Sequence, residues 1–405
     1  MRSSQSYKEY LKKIPTPAFV VYEDFLRENL EKLKGIEREC GVKIIMALKA
    51  NALWKTFKII KEYFPDSTAS SLNEMELSNE FLGGDVHAYC PVYTIESFSA
   101  FLKGCSHITF NSLRQFDKFI PLARDYEKAT GKHVSMGLRV NPKCSVIEHD
   151  IYNPAMAGSR FGMSADRLPA ELPEEIEGLH FHALCECGPE ELQQVLNKFE
   201  QDFGKYLDKL KWVNFGGGHL ITRSDYNVEL LREIIKSFRL GHPHLKIIME
   251  PGSAFTWQTG DLIVKVLDVV EDEGIKTAII DASFACHMPD CLEMPYQPEI
   301  EESISGSDKG GEIYRIGGNS CLSGDFVGNW KFENPLQEGD RLTLKDMNHY
   351  TTVKTNMFNG ISHPSLWLIP SLTKTVEGKE NSRSESVEPV LLREYNYEDY
   401  KGRMD

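Results

Sequence analysis

KIIMALKAN, residues 43–51, is a short apolar run that ends on a lysine, Lys49. A run of this length reads as a buried strand when turn formers and helical stretches surround it. Seven more runs of the same kind follow, at residues 67–70, 86–90, 107–110, 135–140, 178–182, 212–215 and 246–250. Between them, residues 71–82, 95–103, 112–130, 190–210 and 225–240 repeat apolar side chains at three- and four-residue spacing, the period of a helix with one buried face. Eight strands alternating with helices predict an α/β fold, a (β/α)₈ TIM-like barrel. A doubly wound open sheet is the other arrangement that the alternation permits.

The pattern changes after residue 255. Residues 261–271 alternate polar and apolar positions, 276–281 are rich in β-branched side chains, and 341–345 and 350–354 read as short strands. The expected organisation is a barrel over residues 24–255, with residues 1–23 and 256–405 forming a C-terminal β-rich domain. Residues 301–311 read as an exposed loop and 374–388 as a polar, disordered stretch.

Composition narrows the partners. The 405 residues carry 60 acids against 46 Lys and Arg, a net charge of −14, with no basic cluster of the kind that neutralises phosphates, so no nucleic-acid face is expected. No apolar run approaches the roughly 18–20 residues that span a bilayer, and residues 1–14 lack the apolar core of an export signal, so no membrane association is expected. Nine scattered cysteines, an odd number, fit reduced thiols and a cytoplasmic location.

Four segments end barrel strands with chemically active groups. Lys49 closes the first, and a desolvated amine at the carboxyl end of a barrel strand can form a Schiff base, although a solvated strand-end lysine has the same signature. Asn214-Phe215-Gly216-Gly217-Gly218 follows the seventh, where backbone N–H groups can approach a phosphate; the bland reading is a flexible turn. Glu250-Pro251-Gly252 ends the eighth, with Glu250 either a site carboxylate or a salt-bridged rim residue. Gly178-Leu179-His180-Phe181-His182 ends the sixth, and alternate strand positions put His180 and His182 on one face. Cys185 and Cys187 make a zinc site conceivable there, but no H-E-x-x-H or paired C-x-x-C accompanies them, and no metal is expected.

An amine, an aromatic ring, a phosphate cradle and a carboxylate together suit pyridoxal phosphate. With these residues the sequence resembles the fold-type III pyridoxal-phosphate decarboxylases related to ornithine and diaminopimelate decarboxylase, whose barrel is alanine racemase-like. Further matching segments are residues 69–74 (ASSLNE), Ser159-Arg160-Phe161-Gly162, Gly318-Asn319-Ser320-Cys321 with Asp325, and Tyr350 with Phe358-Asn359-Gly360. Residues 180–186 (HFHALCE), 283–290 (SFACHMPD), 321–325 (CLSGD) and 393–403 (REYNYEDYKGR) resemble the carboxynorspermidine/carboxyspermidine decarboxylase branch.

The resemblance implies that Lys49 holds pyridoxal 5′-phosphate, His182 stacks on its ring and Glu250 pairs with the ring nitrogen. It also places Gly217, Gly218, Gly252 and the Tyr350 hydroxyl around the phosphate, and Arg139 near the cofactor. Cys321 is implied as proton donor, contributed across a homodimer with shared active sites. The implied substrate is a cationic carboxylated triamine, with Glu250, Asp290, Asp325 and Glu186 as substrate-binding acids and Trp257, Trp330 and Phe358 as packing for its methylenes. The implied products are norspermidine or spermidine and carbon dioxide. A diaminopimelate decarboxylase is the alternative, disfavoured because Ser253 stands where those enzymes carry arginine. A racemase-like isomerase is disfavoured by Glu250, and a cofactor-storage barrel by the second domain.

Overall fold

Strand and helix alternate around a closed parallel sheet within the unit Asn29–Phe255 of a computed structural model, which describes residues 5–147, 150–294, 296–305, 310–372, 375–376, 379–380 and 387–405. The strands are Lys43–Ile44 with Met46–Ala47, then Ser67–Ala69, Val86–Tyr89, His107–Phe110, Ser135–Arg139, Ile176–His180, Trp212–Asn214 and Lys246–Met249. Closure runs through the first of them. Lys43–Ile44 pairs with the eighth strand and Met46–Ala47 with the second, because Ile45 N–H still reaches Met249 O (3.0 Å) while Met46 N–H turns to Asp66 O (3.1 Å). The open-sheet alternative is thereby excluded.

Trp212 fills the barrel interior with Ile45 and Ile248. A Cβ at Gly137 or Gly178 would meet its ring at 2.3 and 2.0 Å, so small residues on the fifth and sixth strands are what admit the indole. Its N–H donates to Ser135 Oγ at 2.9 Å, which removes the cost of a buried donor.

The outer helices start where side chains satisfy their orphan N–H groups. Ser71, Thr94, Ser112 and Asn227 each accept from a first-turn N–H ahead of Leu72–Phe81, Ile95–Gly104, Leu113–Thr130 and Val228–Gly241, and Pro189 opens Pro189–Leu207. The 18-residue helix Glu23–Cys40 was not among the expected segments; it buries Leu26, Leu30, Leu33 and Ile36 at helical spacing.

At the amino-terminal ends of the strands, His87 and His107 stack with ring centroids 3.9 Å apart. Burial pushes His107 down to about 4, and burial plus His107 holds His87 well below the usual imidazole range. Unfolded, both titrate near about 6.5. Between those values the unfolded chain binds more protons, so stability is complete above about pH 6.5 and falls as pH drops toward 4. We expect the urea midpoint to fall on acidification from about pH 7.5 to 5, with a shallower slope in His107→Phe; identical slopes in both proteins would remove this pair as the cause.

The second unit, Met1–Glu28 with Thr256–Asp405, is an eight-stranded mixed sheet. Its order is Phe326–Phe332, Glu312–Gly317, Ile275–Ile280, Gly260–Asp272, Ala18–Tyr22, Ser365–Ile369 and Val390–Arg393, with Arg341–Leu344 branching from Gly260–Asp272. Leu262, Val264, Val266, Ala278, Ile280, Tyr314, Leu342 and Leu344 form its core. A buried ion pair, Lys345 Nζ to Asp261 Oδ2 at 2.8 Å, also takes the Tyr22 hydroxyl, tying three strands of one sheet together.

Three expectations change here. Residues 350–354 form no strand: Tyr350 sits at φ +51° and Thr351–Val353 is a 3₁₀ turn, so the backbone cannot stay extended. Trp330 is a core residue whose N–H donates to Pro298 O, not a ligand-packing surface. Of the expected loop 301–311, residues 306–309 lie outside the described residues. Of the expected disordered stretch 374–388, residues 374, 377–378 and 381–386 do too, and 375–376 and 379–380 pair as a hairpin.

Candidate active site

The carboxyl ends of the barrel strands gather Lys49, Arg139, His182, Gly216–Gly218 and Glu250 by topology alone. Lys49 lies on the turn Leu48–Ala50, just past the first strand, and its Nζ is 3.5 Å from His182 Nε2. His182 Nδ1 accepts the N–H of Gly217 at 2.8 Å. A neutral ring that accepts at Nδ1 carries its proton on Nε2, so that proton faces Lys49 and only an amine lone pair can receive it. The electrostatics agree. Burial holds His182 well below the imidazole range, and burial followed by the Arg139 guanidinium lowers Lys49. Lys49 keeps access to solvent even though protein surrounds its amine closely enough to lower it. The result is an amine disposed to be a nucleophile.

Glu250 follows the eighth strand and is raised by burial, opposed by hydrogen bonds from Asn214 and Thr68 and by the charge of Lys49. Asn214 is fixed from both ends: its Oδ1 accepts Gly216 N–H at 2.8 Å, so its Nδ2 faces Glu250 Oε1 at 2.6 Å. Glu250 is thus held as an acceptor. His180, buried and without a hydrogen-bond partner, stands 3.9 Å from Glu250 Oε2.

The glycine turn is shaped by close approach. A Cβ at Gly216, Gly217 or Gly218 would lie 2.4 Å from Phe181 O, 2.4 Å from Glu250 O and 2.1 Å from Leu184 O, and Gly216 and Gly218 have φ of +71° and +85°. Gly252 has the same role on the next loop, where a Cβ would meet Ala50 Cβ at 2.6 Å, so the turns carrying Glu250 and Lys49 lie against each other. The expectation for Gly217 is corrected: its N–H is committed to His182 Nδ1 and does not point to a phosphate. Among the described residues the N–H groups of Gly218 and His219 have no backbone acceptor.

Arg139 ends the fifth strand and is 4% exposed. Its guanidinium lies 4.5 Å from the Tyr89 ring centroid and 4.6 Å from that of Phe161, and its Nη2 donates to His182 O at 3.2 Å. No ion pair to a carboxylate forms among the described residues, so the salt-bridge alternative for this arginine is not realised.

A relation to known proteins is evident at this point. The family model described as "Pyridoxal-dependent decarboxylase, C-terminal sheet domain" matches residues 19–348. The chain belongs to that family. It is 41% identical to carboxyaminopropylagmatine decarboxylase of Synechocystis sp., over 97% of this chain and 96% of the relative. It is 37% identical to carboxynorspermidine/carboxyspermidine decarboxylase of Campylobacter jejuni, over 97% and 100%. The crystal structure of carboxynorspermidine decarboxylase from Campylobacter jejuni complexed with norspermidine superposes with a TM-score of 0.84 at 36% identity, covering 96% of this chain and all of that one.

As a member of this family the protein is a carboxy-lyase that uses pyridoxal 5′-phosphate. The barrel mouth fits that group: an amine whose proton affinity is lowered by burial for the aldehyde, a buried carboxylate held as acceptor for the ring nitrogen, a cradle that any Cβ would fill, and a buried guanidinium that forms no carboxylate ion pair among the described residues. Among the described residues no three metal-ligating side chains cluster and no helix is long and apolar enough to cross a membrane.

The remaining predicted residues are placed as follows. Glu186 is exposed, with φ +53°, on the loop after the sixth strand, and its carbonyl accepts from Arg223. In the sheet unit, Cys321 is exposed and its N–H donates to Asn359 Oδ1 at 2.8 Å. Asp325, expected as a substrate acid, is 4% exposed; its Oδ1 accepts Ala285 N–H (3.0 Å) and its Oδ2 accepts Ser320 N–H and Oγ–H (3.2 and 2.6 Å). Asp290 is not a free acid either: it pairs with Lys354, which Glu293 shares. Sequence reasoning quoted Asn214 with the glycines but gave it no role, and it passed over Tyr89 and Asn111, for which only strand-end position could have spoken.

Proposed function

We propose that the protein decarboxylates carboxynorspermidine or carboxyspermidine to norspermidine or spermidine. The observation that carries this is the full-length likeness to the Campylobacter enzyme, joined to a barrel mouth that suits pyridoxal phosphate. The cofactor supplies an electron sink for the pair released when the Cα–carboxylate bond breaks. Lys49 would hold it covalently, and its amine, facing His182 Nε2, is the group there that could accept a proton. His182 covers the ring face, its orientation set by Gly217 N–H. Glu250 keeps a proton at the ring nitrogen, which strengthens the sink, and Asn214 holds the carboxylate toward that task. The N–H groups of Gly218 and His219 would receive the phosphate; the Tyr350 hydroxyl is the further donor that the family resemblance implies. Arg139 balances an anionic group of the cofactor.

Cys321 delivers the proton that replaces the carboxylate, from the partner subunit of a homodimer whose active sites are shared. For the cationic tail, Glu186 is an exposed acid on the loop after the sixth strand. Nine free cysteines suit a cytoplasmic location.

A second reading has its own support: at 41% identity the cyanobacterial relative acts on carboxyaminopropylagmatine, whose tail ends in a guanidinium. One assay separates the readings. Purified holoenzyme is given carboxynorspermidine, carboxyspermidine, carboxyaminopropylagmatine and meso-diaminopimelate, and carbon dioxide release is followed. We expect kcat/KM to be highest on a carboxylated triamine and lowest on diaminopimelate. A maximum on the agmatine derivative would establish the second reading, and one on diaminopimelate would sink both.

A further inference from the structure

Asn111 follows the fourth barrel strand and has no part in the roles above, yet two segments of the barrel mouth, the end of the third strand and the 160–162 loop, converge on its amide. Oδ1 accepts the Tyr89 hydroxyl at 2.8 Å and Gly162 N–H at 2.7 Å, and Nδ2 donates to Arg160 O at 2.8 Å. The orientation is unambiguous, because a flipped amide would set its NH₂ against two donors. Gly162 has φ +74°, and a Cβ there would lie 2.9 Å from Val140 C, so this loop crosses the fifth strand at minimum distance. Between the two residues that Asn111 clamps sits Phe161, whose carbonyl is held separately by Asn141 Nδ2 at 3.0 Å.

Tyr89 and Phe161 are the two rings that receive Arg139. A buried guanidinium without a carboxylate partner is located by such faces and by its hydrogen bonds. Its own is to His182 O, directly behind the imidazole that faces Lys49. We propose that Asn111 is a positioning residue that sets Arg139, through Tyr89 and the 160–162 loop, in the place where it meets the anionic side of the cofactor. The inference rests on the cofactor reading of Arg139 given above. Asn111 itself need touch neither cofactor nor substrate.

A double-mutant cycle on pyridoxal phosphate binding to the apoprotein, read as Kd by absorbance titration, tests this without turnover. Asn111→Ala should weaken binding about tenfold in the wild-type background and less than about twofold when Arg139→Ala is already present, the non-additivity of residues that act through one another. Equal fold-losses in both backgrounds, or no loss in either, would overturn the proposal. Should Asn111→Ala fail to fold, Tyr89→Phe keeps the ring but removes the hydroxyl bond to Asn111, and the same cycle applies with the same outcomes. Failure of the wild-type apoprotein to bind pyridoxal phosphate would strike the cofactor reading instead. In the active holoenzyme Asn111→Ala should raise the cofactor concentration needed for half-maximal rate while the KM for substrate stays within about twofold; a change confined to KM would also overturn it.

Discussion

Lys49→Ala protein is expected to lose turnover by at least about 10⁴-fold, together with the visible absorbance of the bound cofactor. The loss is of chemistry and not of folding, since Lys49 is an exposed residue on a short turn and, among the described residues, its amine meets only the His182 ring within hydrogen-bond range. Lys49→Arg sharpens the test. It keeps a long cationic side chain, but a guanidinium stays protonated and cannot supply the lone pair that His182 Nε2–H is arranged to meet. Both variants should therefore be inactive with unchanged melting temperatures. Steady-state activity retained by either one would remove Lys49 from its role, whatever the position of the residue at the strand end.

Glu250→Gln is expected to lower kcat by on the order of 10²–10³-fold, the scale on which removing one aimed electrostatic group acts, while KM changes little. The substitution preserves length and leaves an oxygen for Asn214 Nδ2. It removes the negative charge that keeps the cofactor's ring nitrogen protonated. Burial raises Glu250, and Asn214, Lys49 and Thr68 work against that rise, so its neighbours and not water set the electrostatics of the carboxylate. Single-turnover rates with saturating substrate isolate the chemical step. An unchanged rate there would mean that the ring nitrogen is served by another group, and Asn214 would then be a structural residue of the glycine turn.

The barrel was legible because its sequence signal is local and repeated. Strand runs of four to six residues alternate with helical periodicity, and four of the helices start behind a capping side chain, Ser71 and Ser112 among them. The side chains at strand ends were legible for the same reason: once a barrel is inferred, chain position alone sends Lys49, Arg139, His182 and Glu250 to one mouth. The family resemblance then attached chemistry to them.

What failed was anything that depends on where a side chain's hydrogen bonds go. Gly217 was expected at the phosphate, but its N–H is taken by a histidine 35 residues away. Asp325 looked like an acid for a cationic tail, and it is an acceptor for Ser320 nearby and for Ala285 40 residues away. Residues 350–354 carry β-formers, yet the left-handed turn at Tyr350 overrides their propensity. Asn111 gave no signal at all, being one polar residue after a strand.

The sequence by itself determined that this is a barrel with an appended β-rich unit, and which residues stand at the barrel's mouth, since periodicity and strand order are properties of consecutive residues. Only the tertiary structure decided which proton faces Lys49, which oxygen of Glu250 is held, and which N–H groups are left for a phosphate. Those outcomes are set by donors and acceptors that lie far apart in the chain and come within 3 Å only after folding, where each buried group must find one partner and thereby denies it to another.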